Sequence, residues 1–510
     1  VPLAGWWVAD FSTPPLAPAN DCRRDWRLIV NGIMVSRRTV LAASAAMAAV
    51  ALASPARAAD LDGAAMGMPW ALPFAGILLS IALGPLLFAK FWHHHYGKIA
   101  AAWALVTLAT IAIGYGGAAA LTGFLHAILV EYLSFIVLLF ALYTVAGGIL
   151  VTGDLRGTPA VNLGILLFGT LVASLVGTTG AAMILIRPLI RANSFRKRNE
   201  HVVVFFIILV ANIGGALSPL GDPPLFVGFL HGVSFFWPVQ HLWLQTLIVV
   251  SLLLVIFYVF DICMCRAFET VPSASLYTEP IRVSGLINIA LIAVIIGAIL
   301  GSALWRPGIS FDIGGVHLAL ESLVRDAVLF LTAFASLWLT HEEHRHRNGF
   351  TWEPILEVAK LFAGIFVCII PVLAMLQAGH NGPFAWLLDA VTTRDGSPHE
   401  AAYFWLTGGL SAFLDNAPTY LVFFELASGD ARELMGPLSG TLAAISMGAV
   451  YMGALTYIGN APNLMVYSIA KEQGVNMPSF FGYLFWAACV LVPLFLILTL
   501  LPISPILKLA

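Results

Sequence analysis

Residues 212–225 read NIGGALSPLGDPPL, and residues 453–464 read GALTYIGNAPNL. Laid over each other, Gly215-Ala216-Leu217 falls on Gly453-Ala454-Leu455, Ser218 on Thr456, Leu220-Gly221 on Ile458-Gly459, Asp222 on Asn460 and Pro224 on Pro462. Each copy sits inside an apolar run long enough to span a bilayer. Proline and paired small residues there break the helical ladder and free backbone N–H and C=O groups. In hydrocarbon such groups are costly unless they are buried in protein or line a watery cavity. An ordinary proline kink between packed helices needs no matched Ser/Thr, Gly and Asp/Asn. Two interrupted spans at corresponding places in two halves point to a transporter's binding site.

Composition fixes the solvent. The chain is 60% hydrophobic and 10% charged, where a soluble domain carries about 25% charged residues. A polytopic, all-α membrane protein is expected. A net charge of −2 and the lack of a basic, aromatic-interleaved stretch offer nothing to nucleic acid. Cys22, Cys263, Cys265, Cys368 and Cys489 form no CxxC pair and no secreted framework.

The N-terminal region is separate in kind. From Met34 the chain reads MVSRRTVLAASAAMAAVALASPARA, with Arg37-Arg38 before an Ala/Val-rich core and Ala56-Arg57-Ala58 after it. Residues 34–58 therefore form a signal-peptide-like segment, and residues 1–33 look like an extension upstream of a start at Met34. Uncleaved, the segment would be an additional anchor; either way the chain emerges at Ala59 outside the cytoplasm.

Hydrophobic spans are expected at about 70–92, 99–121, 126–151, 202–233, 241–262, 283–304, 323–341, 354–378, 438–470 and 481–503. Two further apolar stretches, 161–190 and 401–427, are interrupted by Thr178-Thr179-Gly180 and by Asp415-Asn416-Ala417-Pro418. With arms short for crossing alone, both read as re-entrant helical hairpins. Starting outside at Ala59, the cytoplasmic loops then hold Lys90, Lys98, Arg156, Arg191, Arg196, Lys197, Arg198, Arg266, Arg282, Arg345, Arg347 and Lys471. The external loops hold Arg306, Arg325, Arg394, Arg432 and Lys508. Twelve against five obeys the positive-inside rule, provided each hairpin returns to its own side. The result is a 5+5 inverted repeat of about ten spans plus two hairpins, residues 59–262 and 263–510, with both mature termini periplasmic.

The runs GTTGAAMILIRPLIRAN (177–193), NIGGALSPLGDPPLF (212–226), FLDNAPT (413–419) and TYIGNAPN (456–463) resemble the ion-transporter superfamily. That group includes citrate and dicarboxylate carriers, arsenite permeases and NhaD-type sodium/proton antiporters. The similarity covers about 65–505 and lies nearest the citrate-transporter and sodium/proton-antiporter branch. It implies two inverted repeats, hairpin tips meeting broken helices, elevator-like movement and a homodimer.

Asp222 and Asp415 are the most informative residues, because an ionisable group at membrane depth marks function by default. A carboxylate beside freed carbonyls and hydroxyls offers the hard oxygens that sodium prefers, and it can instead take up a proton. Asp415 could equally cap the second hairpin arm. Asn416, Asn460 and Asn463 bring amides; Thr178, Thr179, Ser218 and Thr456 bring hydroxyls; Gly180, Gly221 and Gly459 admit close backbone approach. Interhelical glue is the plain alternative for each one singly. His93-His94-His95 and the run HEEHRHR (341–347) read as solvated interfacial charge, Arg187 as snorkelling or capping, Glu425 as an outer support and Glu131 as unexplained.

An ion-coupled secondary transporter of a bacterial inner membrane is expected, most simply a sodium/proton antiporter. The alternative is sodium- or proton-coupled symport of citrate or another di- or tricarboxylate. The partners are then a small inorganic cation or carboxylate and the lipid bilayer, with sodium or a proton as coupling ion and no other cofactor. No GxxxxGK[ST] motif supports ATP-driven transport, and no nucleophile–base set supports an enzyme. Paired occluding hairpins argue against a channel.

Overall fold

A computed structural model of the chain describes residues 61–268 and 280–500. The upstream extension, the signal-like segment and the C-terminus at 501–510 lie outside the described residues. Within them the protein is helical, with two short antiparallel strand pairs: Leu150–Thr152 with Arg282–Ser284, and Ser310–Ile313 with Val316–Ala319. Eight helices are long and apolar enough to cross a membrane, and the pair Glu353–Cys368 and Ile370–Gln377, bent by 41°, supplies a ninth. The chain is a multi-pass, all-α membrane protein.

Seven of the eight follow the expected spans. The eighth, Pro159–Val176, is the first arm of the first hairpin. Its 18 residues rise about 27 Å, so this arm is longer than its interrupted sequence implied. Gly177, at φ +82°, turns the chain into the second arm, Thr178–Ala192, and the two arms pack on each other. The interruption thus falls at Gly177, and Thr178, Thr179 and Gly180 form the first turn of the returning helix. The second hairpin, Glu400–Ser411 and Asn416–Ala427, also has arms in contact.

Both broken spans share one construction. Helix Glu200–Leu209 leads to a 3-10 turn, Ile213–Gly215, then an extended crossing, then helix Pro223–Leu230. Ser439–Met452, the turn Gly453–Leu455 and Ala461–Glu472 repeat it. Proline in each restarted first turn has the φ a helix needs and lacks an N–H that would go unpaired. The crossing demands glycine: a Cβ on Gly221 would stand 2.1 Å from Gly215 O, and one on Gly459 2.6 Å from Gly453 O.

Packing sorts the helices into two groups. Leu72–Leu87, Ala89–Tyr115, the third span Gly117–Gly147, Ile287–Leu304, Leu320–Leu339 and the bent pair pack mainly on one another. The hairpins and broken spans pack together, with Trp237–Phe268 and Phe480–Leu500 against them. The groups meet at two matched places, where the third span packs on Thr178–Ala192 and helix Ile370–Gln377 packs on Asn416–Ala427.

Two loop expectations are corrected. Only Phe88 separates Leu72–Leu87 from Ala89–Tyr115, so His93, His94 and His95 lie within a helix. No breaker interrupts that run, and His94 and His95 bond the carbonyls of Lys90 and Phe91 at 2.8 and 3.0 Å. Arg345 is buried rather than solvated: its guanidinium donates to Ser336 Oγ at 2.7 Å and to Thr144 O, tying the third and seventh spans together.

Candidate functional site

Asp222 occupies the N-cap position of Pro223–Leu230 without capping it: Pro224 has no N–H at the second helical position, and the Leu225 N–H at the third bonds the Asp222 carbonyl at 3.1 Å. Its carboxylate turns inward instead and is 1% exposed. Oδ1 accepts from Asn460 Nδ2 at 3.1 Å and from Thr178 Oγ1 at 3.3 Å, and Oδ2 accepts from Asn416 Nδ2 at 2.6 Å. One side chain thereby joins both hairpin tips and both broken spans. Hydrogen bonds to a charged group contribute about 1.5–3 kcal/mol each, more where water is excluded.

The cluster is a two-fold arrangement written in sequence. Asn460 stands to Asp222 as Asn416 stands to Thr178, each pair 238 positions apart. Asp222 and Asn460 share one backbone shape, φ −140° ψ 143° and φ −156° ψ 143°. Behind them Ser218 Oγ donates to Ser174 O, and Thr456 Oγ1 donates to Ala412 O, across 44 positions in each half. Each hydroxyl also accepts an N–H two residues on, from Leu220 at 3.2 Å and Ile458 at 3.3 Å. Ser/Thr at this position is a brace that locks each crossing to its neighbouring hairpin.

Asn463 is buried and bridges the halves: Nδ2 donates to Gly453 O at 2.9 Å and Thr456 O at 3.1 Å, and Oδ1 accepts from Asn212 Nδ2 at 2.7 Å. Thr178 N–H donates to Gly221 O at 2.8 Å. A Cβ on Gly180 would come within 2.9 Å of Ala146, so this glycine lets the first hairpin approach the third span. Ser174 and Asn212 belong to the same framework and were not singled out from sequence. Asn212 opens the first motif but faces Val450 in the repeat, and Ser174 faces Ala412, so repeat matching passes over both.

Asp415 differs from Asp222. Among the described residues its carboxylate accepts only its own helix's Ala417 N–H, at 3.2 Å, as a cap does. It is half-buried and lines a cavity of about 60 Å³ together with Thr178, Thr179, Asp222 and Asn460. That volume accommodates a few waters. The opposite wall, from Leu138, Leu142, Ile355 and Phe362, is apolar and comes from the other helix group. No arginine, lysine or histidine lines the cavity among the described residues. Four helices begin at it, at Thr178, Pro223, Asn416 and Ala461. Their N-termini, worth about +0.5 charge each, roughly balance two ionised carboxylates.

Arg187 is not at the site. Its Nη2 donates to Gly349 O at 3.3 Å, joining the first hairpin to the loop before the bent span.

No curated protein matches the chain. Residues 63–503, which include both hairpins, both broken spans and the cavity between them, match the family described as "Putative citrate transport", and the chain belongs to that family.

Proposed function

We propose that this protein is an ion-coupled secondary transporter whose coupling cation, sodium or a proton, binds at Asp415, and that its exchange is sodium/proton antiport. The observation that carries this reading is the unequal state of the two aspartates. Asp222 has three donors on its carboxylate, whereas Asp415 has one backbone donor and faces the cavity. Asp222 is then the hub that holds the hairpin tips, and Asp415 keeps free oxygens for a cation. Thr178, Thr179, Asn460 and the freed carbonyls of the crossings complete a hard-oxygen environment. A site with two carboxylates and no cationic side chain suits alternating occupation by sodium and proton.

Citrate or dicarboxylate symport is the second reading, favoured by the family match and by the four helix N-termini at the cavity. An anion would then enter only with cations that offset the aspartates. In either case the hairpins return to the side they enter, the first from the cytoplasm and the second from outside. The membrane is a bacterial inner membrane, and both mature termini are periplasmic.

Proteoliposomes holding a pH-sensitive dye test this. Sodium added outside should move protons in the native protein and not in Asp415→Asn, which keeps the cap because Asn caps about as well as Asp. Sodium-driven proton movement that survives in Asp415→Asn overturns the assignment. Labelled citrate uptake that needs a sodium gradient selects the second reading.

A further inference from the structure

Outside the central cluster, one polar group joins the two helix groups at the other end of the hairpin. Glu131 lies in a π-helical turn, Ala127–Tyr132, inside the third span, and such widened turns are frequent at functional sites. Its Oε1 is 3.5 Å from His231 Nε2, with side-chain exposures of 15% and 17%. His231 ends the first broken span's second helix, so this pair spans the groups. A second contact runs beside it: Gln377 Nε2, at the end of the bent pair, donates to Glu425 Oε2 at 3.1 Å. Glu425 is buried near the end of the second hairpin.

The proton count of this group is constrained. His231 Nδ1 is 3.0 Å from Val227 O, a pure acceptor, so Nδ1 carries a hydrogen. Nε2 therefore meets Glu131 either as the second N–H of an imidazolium or as the acceptor of a protonated carboxyl. Both states hold one more proton than a neutral imidazole facing two carboxylates. Glu131 Oε2 is buried with no hydrogen-bond partner, and a charge so placed is costly without compensation. The titratable side chains on the surrounding elements are His126, Glu131, Tyr132 and Tyr143 of the third span, Glu425 and Tyr420 of the hairpin arm, and Tyr451 of helix Ser439–Met452. The turn after the hairpin adds Asp430, Arg432 and Glu433. His231 packs edge-on against Phe424.

We infer that Glu131, His231 and Glu425 form a second proton-binding site, separate from the central aspartates, which acts as a latch between the two helix groups. With the proton resident, the imidazolium offsets both carboxylates and holds this end closed. Loss of the proton leaves two carboxylates around a neutral ring, and the latch weakens. On the topology proposed above this end is external, so external acid holds the carrier with its cavity towards the cytoplasm. Histidine is the side chain that changes charge between about pH 5 and 8, the range such a latch needs.

The test uses the full chain, otherwise without cysteine, in proteoliposomes with no substrate. Val358→Cys places a thiol on the cavity wall, and its labelling rate by a membrane-impermeant thiol reagent reports the open fraction. Ser194→Cys, at an exposed position, corrects for thiolate fraction. The corrected rate should be at least about fivefold higher at pH 6 than at pH 8, a common size for coupling between two sites. His231→Gln should bring that ratio near one, and Glu131→Gln should reduce it, with thermal unfolding showing that each variant is folded. A fivefold ratio that persists in both variants overturns the latch. The readout needs no transported ion, so it stands if antiport fails. A wrong topology would appear as labelling from the opposite side with the pH dependence intact.

Discussion

Asn416 Nδ2 donates to Asp222 Oδ2 at 2.6 Å, across 194 positions of sequence and between the second hairpin and the first broken span. It joins the two sequence-related halves at the centre of the candidate site. Thr178, the counterpart of Asn416 in the first hairpin, reaches the other oxygen of the same carboxylate. The two hairpin tips are thus fastened to one residue, and movement of either tip is tied to the other through Asp222.

Asn416→Leu should therefore harm the fold more than its size suggests. It removes the shortest bond to a buried carboxylate, and an unpaired buried acceptor costs about 1–3 kcal/mol. The expected outcome is a lower unfolding temperature in detergent together with lost transport. Unchanged unfolding would show that this bond is not part of the hub.

Glycine at the crossings should be intolerant for steric reasons alone. Gly221→Ala places a methyl 2.1 Å from Gly215 O, and Gly459→Ala places one 2.6 Å from Gly453 O and 2.9 Å from Ser411 O. Backbone cannot yield as a flexible side chain does. Gly409, also within the second hairpin, has nothing within 4 Å of an added Cβ. Expression and transport in Gly409→Ala should match the native protein, and both crossing variants should lose transport.

The first hairpin carries a buried ionic anchor at its base. Arg196 pairs with Asp261 of helix Trp237–Phe268, whose carboxylate also meets His201 Nε2 at 2.8 Å and Asn162 Nδ2 at 3.0 Å. Asn162 and Asn193 exchange amide bonds beside it, at 2.9 and 2.8 Å. Breaking a buried pair by removing one partner costs about 3–5 kcal/mol. Asp261→Ala should therefore unfold at a markedly lower denaturant concentration, whereas Asp430→Ala, which removes a single exposed helix cap worth about 0.5–2 kcal/mol, should shift it less.

What was legible in sequence was what local backbone chemistry dictates. Pro224 and Pro462 fix where helices restart, Gly221 and Gly459 where backbones cross, and Asp222 and Asn460 which side chains lack a cap to make. The relation of Thr178 to Asn416 shares the same offset but not the same side-chain type, so it passed as two unrelated polar residues. The unequal hydrogen bonding of Asp222 and Asp415 depends on which donors reach each carboxylate, and the three that reach Asp222 come from distant segments. Glu131 had no explanation because its partner, His231, is 100 positions away and in no motif. Arg345 looked solvated because a string of charges is usually a surface feature; its acceptors, Ser336 and Thr144, are ordinary residues until packing brings them together.

The two-fold pairing of Asp222 and Asn460 makes an exchange of the two informative. In Asp222→Asn alone, the new amide keeps one oxygen. If that oxygen faces Asn416 Nδ2, the new NH2 group faces Asn460 Nδ2, donor against donor, at a place where the native bond is 3.1 Å. Turning Asn460 over relieves the conflict but gives up its 3.5 Å contact with Ala211 O. The single variant should lose about 1–3 kcal/mol. Adding Asn460→Asp supplies a carboxylate that accepts from the new NH2 group, while the new carbonyl keeps Asn416. Two of the three hub bonds are then restored; the 3.3 Å bond from Thr178 lacks its acceptor, and the 3.5 Å contact with Ala211 O is given up as in the turned single variant. The double variant should recover at least half of the lost stability, measured by denaturant unfolding in the same detergent. If it is less stable than Asp222→Asn, the cluster holds its carboxylate in the first half for a reason other than hydrogen-bond count.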